Sequence, residues 1–207
     1  MKKWIALLLA LVMMLSLVAC EAVNKFTWEV APFVGEWTGD VDMTMLVDAL
    51  MTEMTGLDMV FEDLILNIRF VFHEDGSCEQ ILAEEDAAAF MDKFIDGYAN
   101  SLIAAGAVGT KEEIRAAIES ELDMDALIED LMSSFDSNYY LYKDHRIYLS
   151  SEKNVLTADY EKNAECIWVI ELDGSTMTVQ DMIDLNGVSV KDENLGLVPI
   201  VLNKLKG

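Results

Sequence analysis

Apolar and polar side chains alternate along the chain from residue 35 to residue 44. Within residues 35–44, Trp37, Val41 and Met43 fall on one face, and mostly polar residues fall on the other. A period of two over this length predicts a half-buried β-strand. Leucine and methionine then recur at helical spacing from Leu46 up to Gly56, which predicts a short amphipathic helix.

A second alternating stretch runs from Phe61 to Phe72 and ends in a turn motif. The sequence His-Glu-Asp-Gly-Ser at 73–77 is typical of a hairpin loop, because Gly76 can adopt the left-handed backbone conformation. The chain is predicted to return as a strand from Cys78 to Leu82.

The period changes to that of helices between Glu84 and Phe135. A first apolar stripe stops at Gly106, and Thr110 with Glu113 fits a capping box that opens a second helix. Asp123 or Asp125 then starts a third helix. We interpret this stretch as a helical insert that forms a lid or subdomain.

Strand patterns return after the insert, with turns at 143–145 and at Asp173-Gly174. The predicted strands are 138–142, 146–149, 166–170, 176–179 and 199–205. About eight strands in hairpin order predict an antiparallel up-and-down barrel or a strongly curled sheet. The expected fold class is mainly β, and α+β once the insert is included.

The turn and strand motifs, taken in order, resemble a known family. The motifs are Gly-x-Trp-x-Gly at 35–39, Phe-x-Phe-x-x-Asp-Gly at 70–76, Tyr-x-Tyr at 140–142, Asp-Gly-x-x-Met-Thr at 173–178 and Leu-Asn-Lys at 202–204. Together they resemble the lipocalin-like domain of small bacterial surface lipoproteins, including acidic, Met-rich lipoproteins of gut-type Firmicutes. The resemblance spans residues 35–206, and minimal domains of this kind lack the 84–135 insert.

The first twenty residues carry the pattern of a targeting segment. Lys2 and Lys3 precede a mainly apolar run over 4–17, which is too short to span a bilayer. The run ends in Leu-Val-Ala-Cys, which resembles the bacterial lipoprotein box. We therefore predict a signal peptide at 1–19, a lipid on Cys20, a linker through residue 34 and a domain at 35–207. An ordinary secretory signal with a chance cysteine is the alternative.

These features predict a protein held at the extracytoplasmic face of the cell membrane. The predicted anchor is the N-terminal lipid, because more than one acyl chain gives stable attachment. The chain has 14 Lys and Arg against 38 Asp and Glu, a net charge of −24. Loss of residues 1–19 would remove two lysines and no acids. Such a surface excludes nucleic acid as a partner.

Two cysteines remain once Cys20 is assigned to the anchor. Cys78 and Cys166 each lie in a predicted strand. An exported protein can join such a pair as a disulfide, provided that the two Cβ atoms come close. Two buried free thiols are the alternative. Redox catalysis has no support, because the sequence contains no Cys-x-x-Cys motif.

The sequence gives no support for catalysis or for a bound metal or cofactor. His73 and His145 both fall in predicted hairpin loops, and no hydrolase, zinc-protease or phosphate-loop motif occurs. The acidic run from Asp123 to Asp130 lacks the glycine that a calcium loop needs at its sixth position. We expect a protein that is not an enzyme.

The candidate binding residues are apolar and are predicted to face inward. Thioethers and aromatic rings suit an adaptable apolar pocket, and the same residues would equally fill a small barrel. The candidates are Trp37, Met43, Phe70, Phe72 and Trp168. Two functions follow: a non-catalytic module that binds a small apolar ligand or a protein partner, or a structural or inhibitory envelope lipoprotein with a solid barrel.

Overall fold

The predicted strands close into an eight-stranded antiparallel barrel. The structure is a computed structural model that describes residues 31–135, 137–193 and 195–206. The predicted signal peptide and Cys20 lie outside these residues. The strands are β1 (Gly35–Asp42), β2 (Ile65–Phe72), β3 (Ser77–Leu82), β4 (Asn138–Lys143), β5 (Arg146–Ser150), β6 (Cys166–Asp173), β7 (Thr176–Asp184) and β8 (Ile200–Lys204). The fold-class prediction is confirmed, and the curled open sheet is not what forms.

Five helices occupy the connections between strands in the described residues. They are α1 (Thr44–Thr55), α2 (Glu84–Ala104), α3 (Lys111–Glu121), α4 (Met124–Ser133) and α5 (Lys153–Asn163). The capping box at Thr110 is confirmed, since its hydroxyl accepts from the Glu113 N–H and the Glu113 carboxylate accepts from the Thr110 N–H. Asp123 caps α4 by accepting from the Ala126 N–H at 3.2 Å.

The barrel closes where β1 meets β8, and this contact depends on a glycine. Trp37 pairs with Lys204 and Gly39 with Leu202. A Cβ atom at Gly39 would lie 2.5 Å from Leu202 Cδ2 and 2.6 Å from the Val201 carbonyl oxygen. These distances are below van der Waals contact, so the inward-facing position 39 accepts only the smallest residue.

The two ends of the barrel differ in how the strands are joined. At one end, three tight turns at 73–76, 144–145 and 174–175 join neighbouring strands. We call these turns and the one residue on either side of each, together with residues 31–36 and 203–206, the hairpin end. At the other end, the long connections 43–64 and 83–135 carry α1 to α4, and we call these two connections the helical end. The chain enters β1 and leaves β8 at the hairpin end.

One hydrophobic core runs from the barrel interior into the helices. Interior residues such as Ile147, Met177 and Leu202 are fully buried, and α2 contributes Phe90, Phe94 and other residues to the same cluster. The insert is therefore packed into the core of the barrel. The sequence-based interpretation as a lid or subdomain missed this continuity, because an apolar stripe does not show which surface it covers.

Helix α5 covers the outside of the barrel and has no counterpart in the sequence predictions. Leu156 is its only fully buried residue and packs with Leu141 and Tyr148 on the outer face of β4 and β5. The helix is also interrupted at Asp159, whose backbone is non-helical. One buried residue leaves no apolar stripe, which explains why periodicity did not reveal the helix.

Two boundaries also differ from the predictions. Strand β2 begins at Ile65, and not at Phe61, because Phe61 and Leu64 are buried in the preceding connection. The part of the predicted linker that the structure describes packs against the barrel, with Ala31 3% and Phe33 0% exposed. Across the described residues, no helix has the length and apolar character needed to cross a membrane.

Candidate functional site

Aromatic side chains fill the barrel at its hairpin end. The rings of Phe33 and Phe72 lie 5.0 Å apart and those of Phe72 and Tyr140 5.3 Å apart, both edge to face. The indole N–H of Trp37 donates to the Phe33 carbonyl oxygen at 2.6 Å. We call these four residues the aromatic plug. They occupy the interior here, and the segment before β1 supplies one of them.

A second aromatic pair lies within the same core. Phe70 and Trp168 meet edge to face with centroids 5.4 Å apart, and both are almost fully buried. Met43 is placed differently, since it is half-buried at the start of α1 and its N–H donates to the Leu64 carbonyl oxygen. Four of the five predicted ligand-contacting residues are therefore together in the core, packed against other side chains, and the fifth lies at the helical end.

One polar side chain faces the interior without a protein partner. Gln80 alternates with Cys78 and Leu82 on the inward face of β3 and lies opposite Phe70 in the ladder. It is 9% exposed, and the described residues supply no hydrogen bond to its amide. Every fully buried side-chain nitrogen or oxygen in the described chain has a partner, so the Gln80 amide borders open space.

Both cysteines of the described chain carry free thiols. Cys78 is buried, Cys166 is partly buried, and no disulfide joins them in this structure. Burial raises the pKa of the Cys78 thiol well above its usual range. Burial also raises the pKa of Cys166 to about 12, and the neighbouring carboxylates of Asp184 and Asp181 act in the same direction. Neither thiol has the lowered pKa that makes a cysteine reactive.

The helical end carries a dense negative charge. Its two connections hold 18 Asp and Glu residues against three Lys and Arg. All three cations are paired with aspartates: Lys93 with Asp63, Lys111 with Asp96, and Arg115 with both Asp92 and Asp96. The unpaired carboxylates therefore set the electrostatic potential at the surface of the helical end, which is negative.

An open depression of about 570 Å³ lies at the turn between α3 and α4 and is lined by residues 119–125. Its carboxylates belong to this acidic surface. No group of three or more potential ligands in the described residues is arranged to hold a metal ion.

Packing and local hydrogen bonds explain the shifted pKa values of the titratable groups near the hairpin end. The Ser77 hydroxyl and N–H lower the pKa of Asp75, and burial raises the pKa of Tyr140, whose hydroxyl donates to the His73 carbonyl oxygen. His73, in the turn after β2, bonds Glu79 at 3.0 Å in a partly exposed position.

Comparison with known proteins found no matching protein-family model, no matching curated protein and no matching solved structure.

Sequence reasoning missed two residues of this region. Phe33 was placed in the linker, because a single aromatic residue outside a periodic segment gives no structural signal. Gln80 has a signal that could have found it, since it occupies an apolar position in the alternation from Cys78 to Leu82. A polar residue at an inward position of a strand is a candidate for function or for a buried hydrogen bond.

Proposed function

We propose that this chain is a non-catalytic, lipid-anchored extracytoplasmic protein that presents the helical end of its barrel to a protein partner. The observation that carries the proposal is the separation of the two ends. The polypeptide enters the barrel at the hairpin end, and α1 to α4 lie in connections at the opposite end. An anchor on Cys20 therefore leaves the helical end free to meet a partner.

The interior supports a protein partner over a large apolar ligand. Most inward positions are filled by packed side chains, including the aromatic plug and the Phe70–Trp168 pair. An eight-stranded barrel is just wide enough for its own side chains or for one small ligand. The charge of the helical end favours a partner with a basic surface, because complementary charge speeds encounter and disfavours acidic competitors.

The anchoring part of the proposal is tested by Cys20→Ala in the full precursor. We expect the wild-type chain to fractionate with membranes and to incorporate labelled palmitate, and the variant to lose both properties. Cys166→Ala is the matched control and should behave as wild type. Membrane retention and labelling that survive Cys20→Ala would contradict the proposal.

The partner part is tested by charge reversal at the helical end. Glu112, Glu121 and Glu129 are exposed and make no ion pair in the described structure. A partner recovered by cross-linking from the native cell surface should bind the wild-type protein and lose affinity for a Glu112→Lys/Glu121→Lys/Glu129→Lys variant. Reversal of Glu36, Glu74 and Asp173 at the hairpin end is the control. Equal losses in both variants would refute recognition by the helical end.

A second candidate function is favoured by Gln80. An inward amide that borders open space could anchor the polar group of a small, uncharged amphipathic ligand. Native mass spectrometry of protein purified from its own host should then show a retained molecule that is absent from Gln80→Leu. Gln180→Leu on the outer face is the control. Identical spectra from all three proteins would remove this candidate and leave the barrel as a scaffold alone.

A further inference from the structure

We propose that the unequal charge of the two ends orients the anchored protein on an anionic bilayer with the hairpin end towards the head groups, so that electrostatics and not the tether alone hold the helical end away from the membrane. The inference rests on the proposed anchoring. It adds a preferred orientation and names the chemistry that imposes it, which is the negative head group of a phospholipid.

The position of the chain entry is the first argument. Ala31 and Phe33 are buried, and the Val34 carbonyl oxygen accepts from Lys204 Nζ at 2.9 Å. The tether is thereby fixed to the hairpin end. Ten residues lie between Cys20 and Ala31, so these two residues are at most about 40 Å apart. The hairpin end thus stays near the surface, but such a tether permits tilting.

The distribution of charge is the second argument. The hairpin end carries four cations, Lys143, Arg146, Lys204 and Lys206, against five carboxylates, whereas the helical end carries an excess of fifteen negative charges. An anionic surface repels the helical end far more strongly than the hairpin end. This difference acts within a Debye length, about 8 Å at physiological ionic strength, and therefore takes effect when the tethered domain approaches the bilayer surface.

The four cations are placed by the fold at the rim of this end. Lys143 and Arg146 flank the tight turn between β4 and β5, and both side chains are exposed. The Lys204 N–H donates to the Ser175 carbonyl oxygen in the β6–β7 turn, which places this lysine beside a second hairpin. Lys206 follows it and is exposed. Cations from separate strands therefore share one rim with the point of chain entry.

The experiment measures orientation on vesicles. The chain from residue 21 onward, which contains every described residue, is attached by an N-terminal His tag to nickel-chelating lipids. A donor dye is placed through Asp144→Cys at the hairpin end or Glu121→Cys at the helical end, with an acceptor on the lipid head groups. The two native thiols have raised pKa values, and protein without an added cysteine controls for their labelling.

We expect energy transfer several-fold higher from position 144 than from position 121 on vesicles that contain phosphatidylglycerol. The difference should shrink on pure phosphatidylcholine. On anionic vesicles, Lys143→Glu/Arg146→Glu should reduce the difference in energy transfer between the two positions. Lys93→Glu/Lys191→Glu makes the same change of net charge in connections far from the hairpin end and should leave that difference unchanged. Circular dichroism confirms that each variant is folded.

Two results would overturn the proposal. One is equal or greater transfer from position 121 on anionic vesicles. The other is a preference for position 144 that neither lipid charge nor the Lys143→Glu/Arg146→Glu variant changes, because the tether alone would then set the orientation. The tag supplies the attachment, so these outcomes do not depend on lipidation of Cys20, which the precursor experiment tests separately.

Discussion

Helices α2 and α3 are neighbours in one insert, but they are attached to the protein by different forces. Helix α2 buries eight residues, and five of them, including Phe90 and Phe94, belong to the common core. Helix α3 has no fully buried residue; Ile118 packs partly buried against the core, and ion pairs from Lys111 and Arg115 join the helix to α2. Burial of apolar area is worth several times more than exposed ion pairs. Helix α2 is therefore part of the fold, and α3 is a weakly attached surface.

The largest effect that this comparison predicts comes from Phe94→Ala on α2. The Phe94 ring stacks on Phe61 at 5.2 Å and on Tyr98 at 6.3 Å, so truncation leaves a cavity. We expect a loss of about 3–4 kcal/mol in the free energy of unfolding, measured by urea denaturation. Ile118→Ala on α3 is the control and should cost no more than about 1 kcal/mol. Similar losses in the two variants would mean that α3 is not weakly attached.

A smaller effect is expected where α2 lies closest to another segment. A Cβ atom at Gly97 would lie 2.4 Å from Phe61 Cδ1. Gly97→Ala should destabilise the protein by about 1–3 kcal/mol through overpacking, although the same change in an open helix is favourable. Combining it with Phe61→Ala should make the alanine at 97 neutral or favourable in thermal or urea unfolding. A Gly97→Ala cost that persists without the Phe61 ring would refute the steric explanation.

Removal of the central ion pair should affect α3 locally and the whole protein little. Arg115 contacts Asp92, Asp96 and Glu119, but its aspartate partners are more than one-third exposed. Arg115→Gln should lower global stability by less than about 1 kcal/mol and should increase hydrogen exchange across α3. High salt should produce the same local change in the wild-type protein. A drop in global stability as large as that of Phe94→Ala would contradict this prediction.

The smallest effect is a pH dependence of α3 attachment. The hydrogen bond from Lys111, assisted by Arg115, lowers the pKa of Asp96 below its ordinary value of 3.8. Because the folded protein favours the ionised carboxylate, this contribution is complete above pH 3.8 and is lost as the pH falls through the lowered pKa. Hydrogen exchange of α3 should rise over that range.

Two variants sharpen the pH experiment. Asp96→Asn should remove the Asp96 contribution and flatten the acid response of α3. Asp48 responds in the opposite sense, because burial raises its pKa and the folded protein therefore favours its protonated form. An Asp48→Asn variant should leave the response of α3 unchanged. An acid response of α3 that survives Asp96→Asn would show that other groups control its attachment.

The sequence predicted the helices and strands that are marked by a pattern within their own residues. Alternation located most strands, the glycine turns at 76 and 174 located two hairpins, and Thr110 located the start of α3. Hairpin order predicted a barrel or a strongly curled sheet, because closure or curling protects the edges of eight successive antiparallel strands. Helix α5 escaped detection, since its attachment depends on Leu156 alone.

For the candidate site, the sequence predicted which residues face the interior of the barrel but not how they pack. The inward faces of Trp37, Phe70, Phe72 and Trp168 followed from alternation, but periodicity cannot show whether inward residues line a pocket or pack on one another. The same limit explains the insert. Its apolar stripes predicted three helices, whereas only tertiary structure shows that α2 shares the core. Excision of 84–135, which an independent lid would tolerate, should therefore cost the barrel much of its stability.

The entry of the chain through the aromatic plug has a mechanical consequence. A pull on the residues before Ala31 is applied along β1, which is hydrogen-bonded to β2 on one side and β8 on the other. Strand β1 must then slide past both neighbours, so many hydrogen bonds share the load and must break together. A force between the tether and a partner bound at the helical end would act parallel to β1. The hydrogen bonds to β2 and β8 would then be loaded in shear, which is the direction in which they resist best.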